Sequence, residues 1–270
     1  MPATATLTHP AEHVGLIVFD NPPRNFGSTD LALRLLECFA AAAEARCKVV
    51  VLASDFPGIF ITHWSLQGII DTQRAGPPRT SYRPKQPTVF DYIDASPMVF
   101  IAANNGQAWG GGAELSWGCD LRIAAESATY GQPEVALGII PGAGGTTRLA
   151  RLIGPTKCME MILDGRPITA REALALGAIN KVVPDAQLRQ AAIDWAQHIA
   201  RWPDWSLAAC KRSLIEGRDL PLEAARRNES QIFQTVARRE DSIALMAAAQ
   251  ARYDAGADSY EALGLPRREA

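Results

Sequence analysis

Apolar positions change period along this chain, and each change marks an element. Residues 13–20, HVGLIVFD, alternate and are rich in β-branched side chains, which predicts a strand ending at the turn Asn21-Pro22-Pro23. Ser28 then stands where it can cap a helix running from 29 to about 45, with Leu31, Leu35, Leu36 and Phe39 at helical spacing. KVVVLAS and MVFIAANNG are continuous apolar runs, the pattern of strands covered on both faces. LRIAAESATYG reads as a strand and a turn, and INKVVP as a last strand. Between these, residues 71–87 carry four basic residues and four prolines with no apolar period, which predicts a surface loop. From Asp185 onward helical patterns dominate, broken at Pro203 and Pro221. The expectation is an α/β architecture with largely parallel pairing over residues 1–195 and a helical subdomain over 196–270.

Composition narrows the function without choosing it. The 270 residues, 47% hydrophobic and 21% charged, suit an ordinary globular protein with a sizeable core. A net charge of −2 with mixed signs lacks the basic face of a nucleic-acid binder. No apolar run approaches a membrane span, and the first fifteen residues do not read as a secretory signal. Cys38, Cys47, Cys119, Cys158 and Cys210 are scattered and odd in number, as expected of reduced thiols in a cytoplasmic protein. HExxH, EF-hand and clustered Cys/His patterns are absent from the sequence, so no metal is expected.

The candidate chemistry lies in QAWGGGAELSWGCDLRIA, where three glycines precede a helix-like run and Glu114 follows two residues later. Successive glycines let backbone N–H groups approach a ligand closely. A helix starting near Gly111 would aim its unpaired N–H groups and dipole at the same place, where developing negative charge could be held. The competing explanation is tight strand–helix packing, with Glu114 simply pairing with the dipole. A dinucleotide loop fits less well, because the spacing is not GxGxxG. Downstream, YGQPEVALGIIPGAGG places Glu134 in apolar company, which would raise its pKa and suit it to proton transfer. Two carboxyls flanking one oxyanion site could add or remove water across a double bond. Ser65 and Ser116 suggest no hydrolase, since GxSxG is missing.

The stretch IAANNGQAWGGGAELSWGCDLRIAAESATYGQPEVALGIIPGAGGTTRLARLIG, continued by ILDGRPITAREALALGAINKVVP, resembles the enoyl-CoA hydratase/isomerase (crotonase) family. FDNPPRNFGSTDLALRLL and ACKRSLIEG resemble it more loosely. The resemblance implies a spiral of ββα turns, a C-terminal helical part that assembles homotrimers or hexamers, and a role in fatty acid metabolism. It also implies an acyl-CoA thioester substrate, with no cofactor beyond that coenzyme A moiety and no metal. Glu114 would activate water and Glu134 would exchange the proton at the α-carbon. Gly111 would be one backbone oxyanion donor, and the Gly142 amide would lie beside the reacting water. Arg24 and Lys211 match positions near the CoA phosphates, and Arg74, Arg79, Arg83 and Lys85 are further candidates; each could equally be a solvated surface charge.

One stretch departs from the family. Where the pattern is like F-S-A-G-A-D-L, this chain has FITHWSL, which puts Trp64 at the first oxyanion donor, His63 in place of glycine and Ser65 in place of aspartate. A backbone N–H survives any substitution except proline, so Trp64 can still donate; its side chain could also shape the acyl pocket. His63 is expected to be structural rather than catalytic. Trp117 and Tyr130 are expected in the core and Trp109 along the pocket. Trp202, Trp205, Phe233 and Tyr253 serve either a subunit interface or intrachain packing. The implied activity is enoyl-CoA hydratase. The alternatives are an isomerase or another enolate-forming acyl-CoA enzyme (a decarboxylase or thioester hydrolase), and, from another class, a non-catalytic CoA- or RNA-binding protein.

Overall fold

The computed structural model describes residues 2–76 and 88–267. The chain divides into two compact units, Met1–Ala208 and Ala209–Ala270. The division falls one helix beyond the expected boundary near 196, because α8 (Leu188–Ala200) packs on strands of the first unit. Within that unit Lys48 Nζ also donates to the carbonyls of Ala200 and Trp202, each at 3.0 Å.

The first unit is built on a six-stranded sheet in the order β1-β2-β3-β5-β7-β10. Its members are β1 (Thr4–Ala11), β2 (Val14–Asp20), β3 (Val49–Ser54), β5 (Val99–Asn104), β7 (Leu121–Ala125) and β10 (Lys181–Val183). Every neighbour pair is parallel except β1–β2, which is a hairpin. All six residues of β3 and all six of β5 are buried. This is what an unbroken apolar run without alternation requires: helices cover both faces. One of those helices is α1 (Thr29–Glu44), whose first turn is capped by Ser28 Oγ accepting from Leu31 N–H at 3.1 Å.

A second, smaller sheet has the order β4-β6-β8-β9, from β4 (Ile59–Ile61), β6 (Gln107–Trp109), β8 (Thr129–Gly131) and β9 (Ile168–Thr169). β4, β6 and β8 each follow a strand of the large sheet after a short turn, so strand–strand–helix units repeat along the chain, as the family's spiral implies. The step between the sheets is tight. A Cβ on Gly106, in the turn from β5 to β6, would stand 1.8 Å from the Gly58 carbonyl oxygen. No other residue type fits there.

The expected loop over 71–87 is corrected in its first part. Asp71 to Arg74 complete α2 (Leu66–Arg74), which is capped by Ser65 Oγ accepting from Gly68 N–H at 3.2 Å. Residues 77–87, with Arg79, Arg83 and Lys85, lie outside the described residues. A short α3 (Val89–Ala95) follows with a capping box between Thr88 and Asp91.

In the second unit, α9 (Asp204–Gly217) runs in from the first, followed by α10 (Leu222–Ala237), α11 (Glu240–Asp254) and α12 (Ser259–Leu263). Its described core is thin. Ile232 and Ala262 are buried, while Leu214 and Leu222 are each 76% exposed and Phe233 58%. Among the described residues no helix is long and apolar enough to cross a membrane, and no group of three or more His, Cys, Asp or Glu is placed to hold a metal.

Candidate active site

α4 (Gly111–Gly118) begins directly after β6, and the three glycines each serve a separate need. Gly110 has φ 49° and ψ −125°, a conformation that side chains disfavour. A Cβ on Gly112 would stand 2.3 Å from the Ile61 carbonyl oxygen, so the helix start can lie flat on β4 only without one. A Cβ on Gly111 would meet Trp64, 3.1 Å from its Cβ and 3.4 Å from its backbone nitrogen. The two proposed oxyanion donors are therefore neighbours across β4 and α4.

Trp64 is positioned by a parallel bridge to Gly27. Gly27 N–H donates to the His63 carbonyl at 2.8 Å, and Ser65 N–H to the Gly27 carbonyl at 2.7 Å. The peptide joining His63 and Trp64 is trans, so its N–H points opposite to its bonded carbonyl, away from Gly27 and toward α4. The other donor is arranged in the same way. The Gly110 carbonyl accepts Glu114 N–H at 2.9 Å, and the N–H of that same peptide belongs to Gly111. Each donor peptide is thus polarised at its oxygen end, which strengthens the hydrogen bond its N–H can give. Among the described residues, neither the Trp64 nor the Gly111 amide has a hydrogen-bond acceptor.

Asn25 holds the same segment. It is fully buried with φ 53°; its Oδ1 accepts from Asn21 N–H at 2.7 Å, and its Nδ2 donates to Ser54 Oγ at 2.9 Å and to the Ile59 carbonyl at 3.3 Å. Sequence reasoning assigns it no role, although NPPRN, a polar turn between apolar strands, marks it.

Glu114 is 4% exposed, and its Oε1 accepts from Ala143 N–H at 2.6 Å and Gly145 N–H at 2.9 Å. Burial pushes its pKa up, while the amides of Gly145, Ala143 and Gly144 pull it partly back. Glu134 opens a single 3-10 turn, Glu134–Leu137, held between Pro133 and the left-handed Gly138. Its pKa is pushed up to about 7, first by burial and then by the Glu114 charge, against its own backbone N–H. Gln132 also escapes sequence reasoning, although it lies inside GQPE. With its carboxamide nitrogen turned to donate, it reaches Glu134 Oε1 at 3.0 Å and Oε2 at 3.1 Å, and its oxygen accepts from Trp117 Nε1 at 3.2 Å.

Both glutamates line one cavity of about 1380 Å³ with His63, Trp64, Gly111 and Gly142. Most of its remaining wall is apolar, including Leu33 and Leu36 of α1, Ile69 of α2 and Phe90 of α3. A Cβ on Gly142 would meet nothing within 4 Å, so this residue stands open to the cavity beside the amide of Ala143 that holds Glu114. His63 stacks on Phe26 at 4.7 Å, and its Nδ1 lies 2.7 Å from the Trp64 carbonyl. A carbonyl only accepts, so Nδ1 carries the proton. Trp117 and Tyr130 stack in the core with centroids 4.9 Å apart. Trp109 is a correction: its Nε1 donates to Thr129 Oγ1 at 3.1 Å and its ring lies against Gly131, so it is not among the cavity residues. Arg24 is exposed on the turn after β2, where its carbonyl accepts from Thr62 Oγ1, and it does not line the cavity. Lys211 lies buried on α9 in the second unit.

Comparison with known proteins places this geometry. The family model described as enoyl-CoA hydratase/isomerase matches residues 10–251. A 2,3-dehydroadipyl-CoA hydratase of Escherichia coli is 32% identical over 232 residues, which is 85% of this chain and 89% of that protein. A glyoxysomal fatty acid beta-oxidation multifunctional protein of Brassica napus is 38% identical over 202 residues, 73% of this chain. The chain spans only 27% of that relative and 49% of a probable mitochondrial enoyl-CoA hydratase of Dictyostelium discoideum. Among solved structures, an enoyl-CoA hydratase from Bacillus anthracis is 32% identical with a TM-score of 0.77, covering 92% of this chain and 96% of that one. One from Thermoplasma volcanium is 26% identical with a TM-score of 0.80, covering 90% and 96%. With a matching model across nearly all of its length, and the expected spiral, the chain belongs to the enoyl-CoA hydratase/isomerase family.

Proposed function

We propose that this chain is an enoyl-CoA hydratase, adding water reversibly and syn to a trans-2-enoyl-CoA. The observation that carries the reading is the convergence of Glu114 and Glu134 on one apolar cavity beside the Trp64 and Gly111 amides. The thioester oxygen accepts from those two amides. Water is held by Glu114 and the Gly142 amide; its oxygen bonds to C3 while Glu114 takes its proton. The C2–C3 π electrons move toward the carbonyl, giving an enolate whose oxygen the amides stabilise, and Glu134 delivers its proton to C2. One such donor is worth about 3 kcal/mol of barrier. Two carboxyls and two amides supply every proton and the charge stabilisation, so the proposal calls on no metal or resident cofactor. Arg24, exposed on the turn after β2, is assigned to the coenzyme A phosphates. The exposed apolar side chains of the second unit are assigned to a homotrimer, or a hexamer of paired trimers, and the five free cysteines suit a cytoplasmic location.

The test is incubation with crotonyl-CoA and longer enoyl-CoAs followed by mass spectrometry. Hydration adds the mass of water; isomerisation leaves mass unchanged, and hydrolysis or decarboxylation removes a fragment. Absence of a hydrated product at every chain length overturns the reading.

The pH dependence follows from the shared proton. Hydration starts with Glu134 protonated and Glu114 ionised and ends with the reverse, so the pair must carry one proton in either direction. With Glu134 pushed up to about 7, kcat/KM is expected to fall about tenfold for each pH unit well above that value, as the last proton leaves. The net reaction takes up no proton. Dehydration of 3-hydroxybutanoyl-CoA must therefore show the same limb, and a different limb would refute the assignment. Stability moves in the same direction. Glu134's folded pKa lies above its ordinary value, so between about 4.5 and 7 the native state holds a proton that the unfolded chain has lost. Stability from this group falls as pH rises through that window.

A further inference from the structure

We propose that the Trp64 indole is a specificity wall that restricts the acyl group to one unbranched at C2; this rests on the hydratase reading of the site. Trp64 occupies space that its surroundings have cleared for it. A Cβ on Gly27 would stand 2.5 Å from Trp64 Cε3, and one on Gly111 would stand 3.4 Å from the same atom. The indole is therefore seated between two glycines, one on the bridge segment and one on the oxyanion turn, while its residue lines the cavity. Bulk is exchanged across the bridge: large Phe26 and His63 stack at one step, and at the next a glycine faces the tryptophan.

The catalytic geometry sets where the substrate's C2 must lie. Its carbonyl oxygen is held by the Trp64 and Gly111 amides, so C2, one bond beyond the carbonyl carbon, lies close to that turn. Glu134 must reach C2 to deliver its proton, and Glu134 Oε1 stands 3.0 Å from the Cβ position of Gly110, one residue along the same turn. C2 is thus bracketed by the proton donor over Gly110 and the indole over Gly111. A methyl group on C2 has to displace one of them. Displacing the donor breaks the proton transfer, and displacing the indole drives it into backbone.

The experiment compares kcat/KM for crotonyl-CoA and 2-methylcrotonyl-CoA in wild type, Trp64→Ala and Trp64→Phe. In parallel, calorimetry measures the affinities of butanoyl-CoA and 2-methylbutanoyl-CoA, which cannot be hydrated. Wild type should favour the unbranched thioester at least tenfold in both comparisons, the range a single methyl group commands in a shaped pocket. Trp64→Ala should shrink that preference at least tenfold, and Trp64→Phe should fall between them. Trp64→Phe also keeps an aromatic ring in place should the alanine variant fold poorly. A wild type that treats the pairs alike, or ratios that neither variant moves, overturns the wall. If no variant hydrates either enoyl thioester, the hydratase reading fails separately and the binding ratios alone decide: relaxed selectivity in Trp64→Ala sustains the wall, and equal affinities remove it.

Discussion

Glu134→Gln and Glu114→Gln are each expected to lower kcat for crotonyl-CoA hydration by about 10³-fold, within the range commanded by a positioned acid or base. The double variant should be little worse than either single one, because the two groups act as a unit on one water and one carbon. The outcome separates a catalytic role from a structural one through stability. A glutamine at 114 keeps an oxygen for the amides of Ala143 and Gly145 while removing a buried charge that is costly to desolvate. Thermal unfolding of the variants should therefore be unchanged or shifted upward at neutral pH. Loss of activity together with a lowered Tm would point to Glu114 as mere scaffolding. Unchanged turnover in both variants would end the mechanism.

Gly112→Ala should be the most damaging single methyl group near the site. Its Cβ would meet the Ile61 carbonyl oxygen at 2.3 Å and Ile61 Cβ at 2.8 Å, and neither is the far end of a flexible side chain. The start of α4 would have to lift from β4, at a cost of about 3 kcal/mol. That shift carries Gly111 away from Trp64, so turnover should fall by about 10²-fold or more as one oxyanion donor is misplaced. Gly142→Ala is the control. Nothing lies within 4 Å of the new methyl group, so its stability should stay within about 0.5 kcal/mol of wild type. Denaturant unfolding of the two variants side by side checks this, and equal stabilities would refute the packing argument.

The large sheet and α1 were legible in the sequence because their residues answer to one requirement, burial. β3 and β5 are hidden on both faces, and α1 shows a single apolar stripe. β1 escaped because it is the sheet's edge strand and none of its residues is buried. The second sheet escaped because β4, β6 and β8 are three residues each, too short to display a period. The start of residues 71–87 read as loop, yet helix continues to Arg74, since Ser65 caps a turn whose apolar residues lie before the prolines. At the site, the resemblance supplied Glu114, Glu134, Gly111 and Gly142, all of which the structure places on one cavity. It could not supply Asn25, Gln132 or the Gly27 bridge. Asn25 to Ser54 and Gln132 to Trp117 are side-chain contacts between different elements, and the Gly27 bridge uses main-chain groups that every residue carries.

The arrangement of the two donor peptides has a consequence for how such a scaffold diversifies. Both donors, and both groups that polarise them, belong to the main chain: Gly27 N–H with the His63 carbonyl, and Glu114 N–H with the Gly110 carbonyl. Side chains at 63, 64 and 114 can therefore be exchanged without rewiring the anion receptor. Histidine and tryptophan stand at 63 and 64, where the pattern this chain resembles has a glycine and a small residue. Heritable novelty in reaction or in substrate is then decoupled from the part of the molecule that tolerates the least error.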